Sequence, residues 1–332
     1  MTVDQHLGAV DAGSRARAPA PVSTLAIVGA GSVGATLAYA ALIRGVARRV
    51  VLYDIDAAKV EAEVLDIAHG IEFMPMGEID GSDDISICAR ADVIAVTAGA
   101  RQKPGQSRID LAGKTIELMR TLVPQLVEVA PDAVYMMVTN PVDIVTYASL
   151  KLSGLPPNQL FGSGTVLDTS RLRYLVSQRC RIAVRNVHAY ILGEHGDSEI
   201  PVWSSATIGG APLREFTAAT GRLNQDVRDE IAHEVVNSAY RIIAGKGATN
   251  YAVALAAARI TEAVLRSERA ILPVSSLLED YLGISDVCMS VPSIVDRVGV
   301  AERLVIPVNA AELAGLRSSA TQLRAVARQL GF

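Results

Sequence analysis

The 332-residue sequence is short of cysteine, of long apolar runs and of charge of one sign. Cys88, Cys180 and Cys288 are odd in number and widely scattered. They offer neither a disulfide framework nor a metal-ligand spacing, so a reduced, cytoplasmic setting without a metal is expected. No apolar run reaches the length needed to cross a bilayer. The opening segment, residues 1–22, is small, polar and Pro/Ala-rich and lacks the apolar core of a signal peptide. It reads as a flexible leader or as an arm that packs on a partner subunit. With 31 Lys and Arg against 35 Asp and Glu, the net charge is −4. There is no basic stripe with interleaved aromatics, so nucleic acid is not an expected partner, and neither is a membrane. Internal repeats and low-complexity tracts are also missing.

What is present is an alternation. The runs "LAIVGA", "RVVLYDI", "ISICA", "VIAVTAG" and "AVYMMVT" are almost wholly apolar, as strands covered on both faces are. Helical patterns separate most of them, which is the βαβ grammar of a parallel sheet in an α/β protein. The second half changes character. It has strand-like segments at 186–193 and 201–208, helices near 222–243 and 248–266, and strands around 270–300. The last helix spaces Leu313, Leu316, Ala320, Leu323, Val326 and Leu330 at three- and four-residue steps, an amphipathic stripe. A boundary near 160 divides the halves.

"LAIVGAGSVGATLAYAAL" reads strand, glycine-rich turn, helix. In that context a GxGxxG points to a dinucleotide. Gly29 permits the tight turn, Gly31 lets the pyrophosphate approach the backbone, and Gly34 lets helix and strand close up. Ser32 and Val33 open the helix whose free N–H groups face the phosphates. Asp54 ends the second strand, twenty residues beyond Gly34. A carboxylate there accepts hydrogen bonds from the ribose hydroxyls and repels a 2′-phosphate, so NAD is the expected cofactor rather than NADP.

Two of the five histidines, His188 and His195, lie seven positions apart in "NVHAYILGEHGDSEIP". Side chains alternate along an extended segment, so an odd spacing turns them to opposite sides and argues for two separate sites. Together with "GSGTVLDTSRLRYL" and "TAGARQKPGQSRIDL", the stretch "ILGEHGDSEIPVWSSATIGG" resembles the L-lactate dehydrogenase family, within the lactate/malate dehydrogenase superfamily. The resemblance runs from about residue 24 to the C-terminus. It implies a Rossmann-type doubly wound parallel sheet over 23–160, a mixed α/β substrate-binding and catalytic domain over 161–332, a homotetramer of the bacterial type, and interconversion of pyruvate and L-lactate in glycolytic fermentation.

The same resemblance implies roles. Reducing a ketone by hydride leaves negative charge on oxygen, so a proton donor is needed, and His195 takes that role. Asp168 holds its tautomer, although "TVLD" also has the form of a capping box with Thr165 as cap. Arg171, on the same helical face as Asp168, suits bidentate binding of the substrate carboxylate. Arg108 follows a Pro/Gly-rich loop and stabilises the carbonyl oxygen. Asn140 serves the nicotinamide and the substrate oxygen, and Thr249 lies near both. Thr97, Ala98 and Gly99 join the dinucleotide set.

Gln102 matches the loop position at which malate enzymes carry arginine. A neutral amide there leaves the second carboxylate of a dicarboxylate poorly compensated and favours pyruvate. Arg101 and Lys103 flank it and keep malate, or another 2-hydroxy acid, open as an alternative. A non-catalytic NAD-binding protein on this fold is the reading from another class. Arg173, about 200° around the helix from Arg171, diverges from the substrate as His188 does from His195. In bacterial relatives the matching pair binds fructose 1,6-bisphosphate between subunits, so activation by that effector is expected.

Overall fold

The computed structural model describes residues 22–100 and 108–332. The leader up to residue 21, and Gln102, lie outside the described residues. The chain begins with β1 (Thr24–Val28), α1 (Ser32–Ile43), β2 (Arg49–Tyr53), α2 (Ala57–His69), β3 (Glu78–Ser82), β4 (Val93–Val96), α3 (Arg108–Val129), β5 (Val134–Met137), α4 (Val142–Ser153) and β6 (Leu160–Gly162). It continues with α5 (Val166–Cys180), β7 (Val187–Leu192), β8 (Ile200–Ile208), β9 (Ala211–Pro212), α6 (Leu213–Thr220), α7 (Gln225–Lys246) and α8 (Tyr251–Leu265). Last come β10 (Ala270–Leu278), β11 (Val287–Asp296), β12 (Gly299–Arg303) and α9 (Ala310–Gln329).

The first six strands pair in parallel in the order β3-β2-β1-β4-β5-β6, the doubly wound Rossmann arrangement. The strand order reverses between β1 and β4, so a crevice opens beyond their carboxyl ends. β10, β11 and β12 extend the same sheet antiparallel from β6, and β7, β8 and β9 form a separate antiparallel sheet. Every residue of β1, β4 and β5 is buried, as strands with helices on both faces must be. On α1 the buried Gly34, Leu37, Ala38 and Ala41 recur at helical spacing and lay one stripe against the sheet.

One expected strand is absent. "ISICA" forms a single turn of 3-10 helix, Ile85–Cys88, whose start is capped by the Asp84 carboxylate accepting from Ser86 N–H at 2.9 Å. The strand that pairs with β2 is "EIDGS", β3, an edge strand with no fully buried residue. An edge strand needs no apolar face on both sides, so its sequence carries no apolar run.

The two sheets meet where the chemistry lies. β7 ends at Leu192, and Gly193 leaves it to bridge Ser290 of β11 through hydrogen bonds of 2.9 and 2.8 Å. His195 therefore hangs from a loop between sheets. The side-chain alternation expected from His188 does not extend to it. α9 secures that loop from the other side, its buried Ser319 accepting from Glu194 N–H at 3.0 Å.

Candidate active site

The crevice between β1 and β4 is built from backbone. Gly29 has φ +104°, and a Cβ on it would lie 2.7 Å from Ala98 N. A Cβ on Gly34 would sit 1.9 Å from the Gly29 carbonyl oxygen, whereas one on Gly31 would meet nothing within 4 Å. Gly29 and Gly34 thus close the turn, and Gly31 faces open space at the N-terminus of α1. Gly31 caps that helix without a side-chain bond, leaving the N–H groups of Ser32, Val33 and Gly34 to face the crevice. Thr97 fastens the turn to β4 by donating to the carbonyls of Val28 and Gly29 at 3.1 and 2.9 Å. Thr139 donates to the Ala98 carbonyl at 2.7 Å and packs against Gly99 so closely that a Cβ there would meet its methyl at 2.4 Å. Asp54 stands at the end of β2, half-buried, one oxygen accepting from Ala30 N–H at 2.8 Å. This glycine cradle, open helix end and strand-end acid fit a dinucleotide whose ribose carries no phosphate.

Beside it lies a cavity of about 440 Å³, walled by Asn140, Asp168, Arg171, Glu194, His195 and Glu199 among others. Asn140 precedes a cis bond to Pro141. Asp168, 1% exposed, sits in the first turn of α5. One of its oxygens accepts from Arg171 Nη1 at 2.7 Å and the other lies 2.5 Å from His195 Nδ1. Thr165 holds the N-cap position expected, but its side chain makes no cap hydrogen bond. Its hydroxyl donates to the Ile191 carbonyl at 2.5 Å and ties α5 to β7. Asp168, at the third helical position, pairs with His195 and Arg171.

Burial disfavours the charged form of His195, but Asp168 beside it, with smaller help from Asp143 and Glu199, pushes its pKa up to about 9. Burial likewise opposes ionisation of Asp168, and the charges of His195 and Arg171 hold it below the ordinary carboxylate range. The pair is an imidazolium–carboxylate at neutral pH, with Nδ1 engaged and Nε2 left to donate.

Sequence reasoning missed two acids. Asp143 of α4 is 2% exposed; one oxygen accepts the His195 backbone N–H at 2.7 Å and the other the Ser275 hydroxyl at 2.6 Å. Burial pushes its pKa up to about 6 against those two bonds. Its signal was faint, because an acid in the first turn of a helix is ordinary. Glu199, directly before β8, reaches the same cavity. Burial, then the Asp168 charge, pushes it up to about 8. Asp168, His195 and Glu199 can bring one ligand atom each within 4.8 Å of one another. Asp168 is already bound by Arg171 and His195, so the trio is an acid–base cluster.

Other expected residues are not on the cavity wall, or have side chains outside the described residues. Arg108 opens α3, but its side chain lies outside the described residues; Leu111, one turn on, lines the cavity. Thr249 is half-buried in the connector between α7 and α8 and is not on the cavity wall. Arg173 turns onto β7, where Nε donates to the Ala189 carbonyl at 3.0 Å and the guanidinium lies 5.1 Å from the Tyr190 ring centre. His188 is exposed on the same strand. Among the described residues no helix is long and apolar enough to cross a membrane.

Comparison with known proteins matches the chain in two parts. Residues 23–162 match the lactate/malate dehydrogenase NAD binding domain, and residues 165–330 match the alpha/beta C-terminal domain of that family. An L-lactate dehydrogenase of Bifidobacterium animalis subsp. lactis is 56% identical over 95% of this chain and 99% of its own length. That of Acetivibrio thermocellus is 46% identical over 93% and 98%. Among solved structures, the minor L-lactate dehydrogenase of Enterococcus mundtii, in its ligands-bound form, superposes with a TM-score of 0.90 at 38% identity, over 93% of this chain and 98% of that one. The chain belongs to the lactate/malate dehydrogenase family, and it is an NAD-dependent oxidoreductase with the NAD-binding domain in its first half.

Proposed function

We propose that this chain is an L-lactate dehydrogenase that reversibly reduces pyruvate to (S)-lactate. The observation that carries the reading is Asp168, buried between Arg171 and His195, which sets a guanidinium and a proton-bearing imidazole side by side in the cavity. A 2-oxo acid needs that pair: a cation for its carboxylate and an acid for its carbonyl oxygen. NAD, when bound along residues 29–34, 54 and 97–99, supplies or accepts the hydride at the carbonyl carbon. His195 Nε2 gives its proton to the oxygen in reduction and takes it back in oxidation. Asp168 holds the ring so that Nδ1 keeps its proton and stabilises the imidazolium. Arg171 uses one N–H on Asp168 and offers the remainder to the substrate carboxylate. Arg108 stabilises the charge developing on oxygen, Asn140 orients the nicotinamide side, and Thr249 matches the family position near substrate and nicotinamide. Residues 23–160 hold the dinucleotide and 161–332 the substrate.

Gln102 gives the preference for a monocarboxylate. The enzyme works as a cytoplasmic homotetramer in glycolytic lactate formation. Paired copies of Arg173 and His188 across a two-fold axis take fructose 1,6-bisphosphate as activator. The exposure of His188 and the approach of Arg173 to the neighbouring Ala189 carbonyl support that pairing.

The test is NADH absorbance on adding pyruvate, oxaloacetate or a bulkier 2-oxo acid, with and without the bisphosphate. Pyruvate is the expected substrate, and the bisphosphate lowers the concentration for half-saturation in the wild type but not in an Arg173→Ala, His188→Ala double variant. Faster oxidation with oxaloacetate makes this a malate enzyme, oxidation only with a bulkier 2-oxo acid makes it another 2-hydroxy acid dehydrogenase, and no oxidation with any of them makes it a binding protein. Equal responses of wild type and double variant to the bisphosphate remove the effector site.

A further inference from the structure

Glu199 has no part in orienting His195 or in holding the substrate carboxylate, yet it lies inside the catalytic cavity. Its Oε1 is shut off from solvent and has no hydrogen-bond partner. Buried carboxylates that stay ionised collect donors, as Asp143 and Asp168 do here; Glu199 collects none at that oxygen. A second cavity of about 250 Å³ lies behind it, lined by Glu199, Pro201, His233 and Asn237 among others. Glu199 is common to both cavities, and His233 of α7 is exposed beside the second.

The charges around Glu199 come from three elements. From α5, Asp168 opposes its ionisation and Arg171 favours it. From its own loop, His195 favours ionisation and Asp197 opposes it. From α7 come His233 and Tyr240, and the Tyr240 hydroxyl donates to Asp197 at 2.8 Å. Burial outweighs all of these.

We propose that Glu199 is a positioning residue for the proton of His195: its unpartnered buried carboxyl group, shared by the two cavities, keeps the His195 ring protonated to higher pH when it carries charge. The proposal rests on His195 being the proton donor assigned above. While neutral, Glu199 adds no negative charge to oppose an incoming carboxylate. Once ionised, it places a second anion near the imidazolium and raises the cost of losing that proton. The two groups then titrate as one coupled system.

Glu199→Gln keeps the shape and removes the ionisation. In the full-length enzyme, the ¹⁵N-labelled ring of His195, assigned with a His195→Asn variant, is titrated by NMR beside the pH profile of pyruvate reduction. The midpoint of His195 should fall by about one pH unit, the scale of coupling between such groups. The ratio of kcat/KM at pH 9 to that at pH 7 should fall about fivefold against the wild-type ratio. Glu199→Asp, which keeps an ionisable group, should recover part of the shift and covers the case in which the glutamine variant does not fold. An unmoved His195 midpoint in folded Glu199→Gln overturns the proposal, as does a Glu199→Asp protein whose His195 ring titrates in a single step with no second inflection from the acid beside it. A wild type that oxidises no NADH with any 2-oxo acid overturns the functional reading instead, and the NMR titration still judges Glu199.

Discussion

The dinucleotide crevice and the acid–base cavity adjoin, but they are made of different material. The crevice is main chain. Gly29, Gly31 and Gly34 come from one turn and Thr97 to Gly99 from the end of the neighbouring strand, and what matters is how closely backbones approach. The cavity is side chain, assembled across the chain: Asp168 and Arg171 are three residues apart, His195 is 27 from Asp168, Asp143 is 52 from His195, and Ser275 is 132 from Asp143. A backbone site is broken by adding volume. A site of buried charge is broken by removing one partner, because the others are left uncompensated.

The largest expected effects come from the two substitutions that separate these modes. Gly34→Val adds a Cβ 1.9 Å from the Gly29 carbonyl and forces the turn open. NADH affinity, followed by fluorescence titration, should fall by at least about 100-fold, since a clash with backbone cannot be relieved by a rotamer change. His195→Ala should do the reverse. Turnover falls by about 10²–10⁴, the usual contribution of a general acid, while NADH binding is kept. If both variants lose binding and turnover in the same proportion, the two regions are not separable as described.

The contrast also accounts for what could be read without the structure. The glycine turn, Asp54 and the α/β alternation are local patterns and stand in the sequence as they stand in space. Asp168 and Arg171 share a helical face and were legible as a pair. The partners from distant elements were not: nothing near Asp143 in sequence announces Ser275 or the His195 backbone, and nothing near Glu199 announces the α5 charges it faces. The polar edge strand β3 escaped notice because it buries little, and "ISICA" misled because a capped 3-10 turn can carry an apolar run as easily as a strand can. Thr165 has the form of a cap, but a long-range acceptor, the Ile191 carbonyl, claims its hydroxyl.

A smaller effect tests the charge balance within the cavity. In the wild type Asp168 overcomes the burial that would otherwise lower the pKa of His195. In Asp168→Asn burial prevails, and the His195 midpoint should fall by more than about one pH unit. Reduction of pyruvate requires the protonated ring, so its rate is lost as pH rises through that pKa, and the loss now begins at lower pH. At pH 9 pyruvate reduction should drop about fivefold or more, because a one-unit fall cuts the protonated fraction there from about one half to about one tenth. Lactate oxidation, which requires the neutral ring, should extend to lower pH relative to its own maximum. An alkaline limb that stays near pH 9 would show that Asp168 is not what holds the proton on His195.

The smallest effect concerns Asp143, which joins α4, β10 and the catalytic loop through one carboxyl group. Ser275→Ala removes one of its two donors without touching substrate or cofactor. The pKa of Asp143 is raised to about 6 in the folded chain from an ordinary 3.8. The folded state therefore binds this proton more tightly than the unfolded state does. The contribution of this group to stability is highest below about pH 4, declines as pH rises toward 6, and carries the full cost of the buried anion above that. The Ser275 hydroxyl offsets part of that cost by bonding the charged form, a bond worth about 1.5–3 kcal/mol. Its removal raises the Asp143 pKa further and extends the decline to higher pH. In urea denaturation at fixed protein concentration, the loss of stability in Ser275→Ala should be about 1–2 kcal/mol at pH 8 and clearly less at pH 5, where the carboxyl is protonated in both proteins. A loss equal at the two pH values would mean that Ser275 fills space beside Asp143 and does not stabilise its charge.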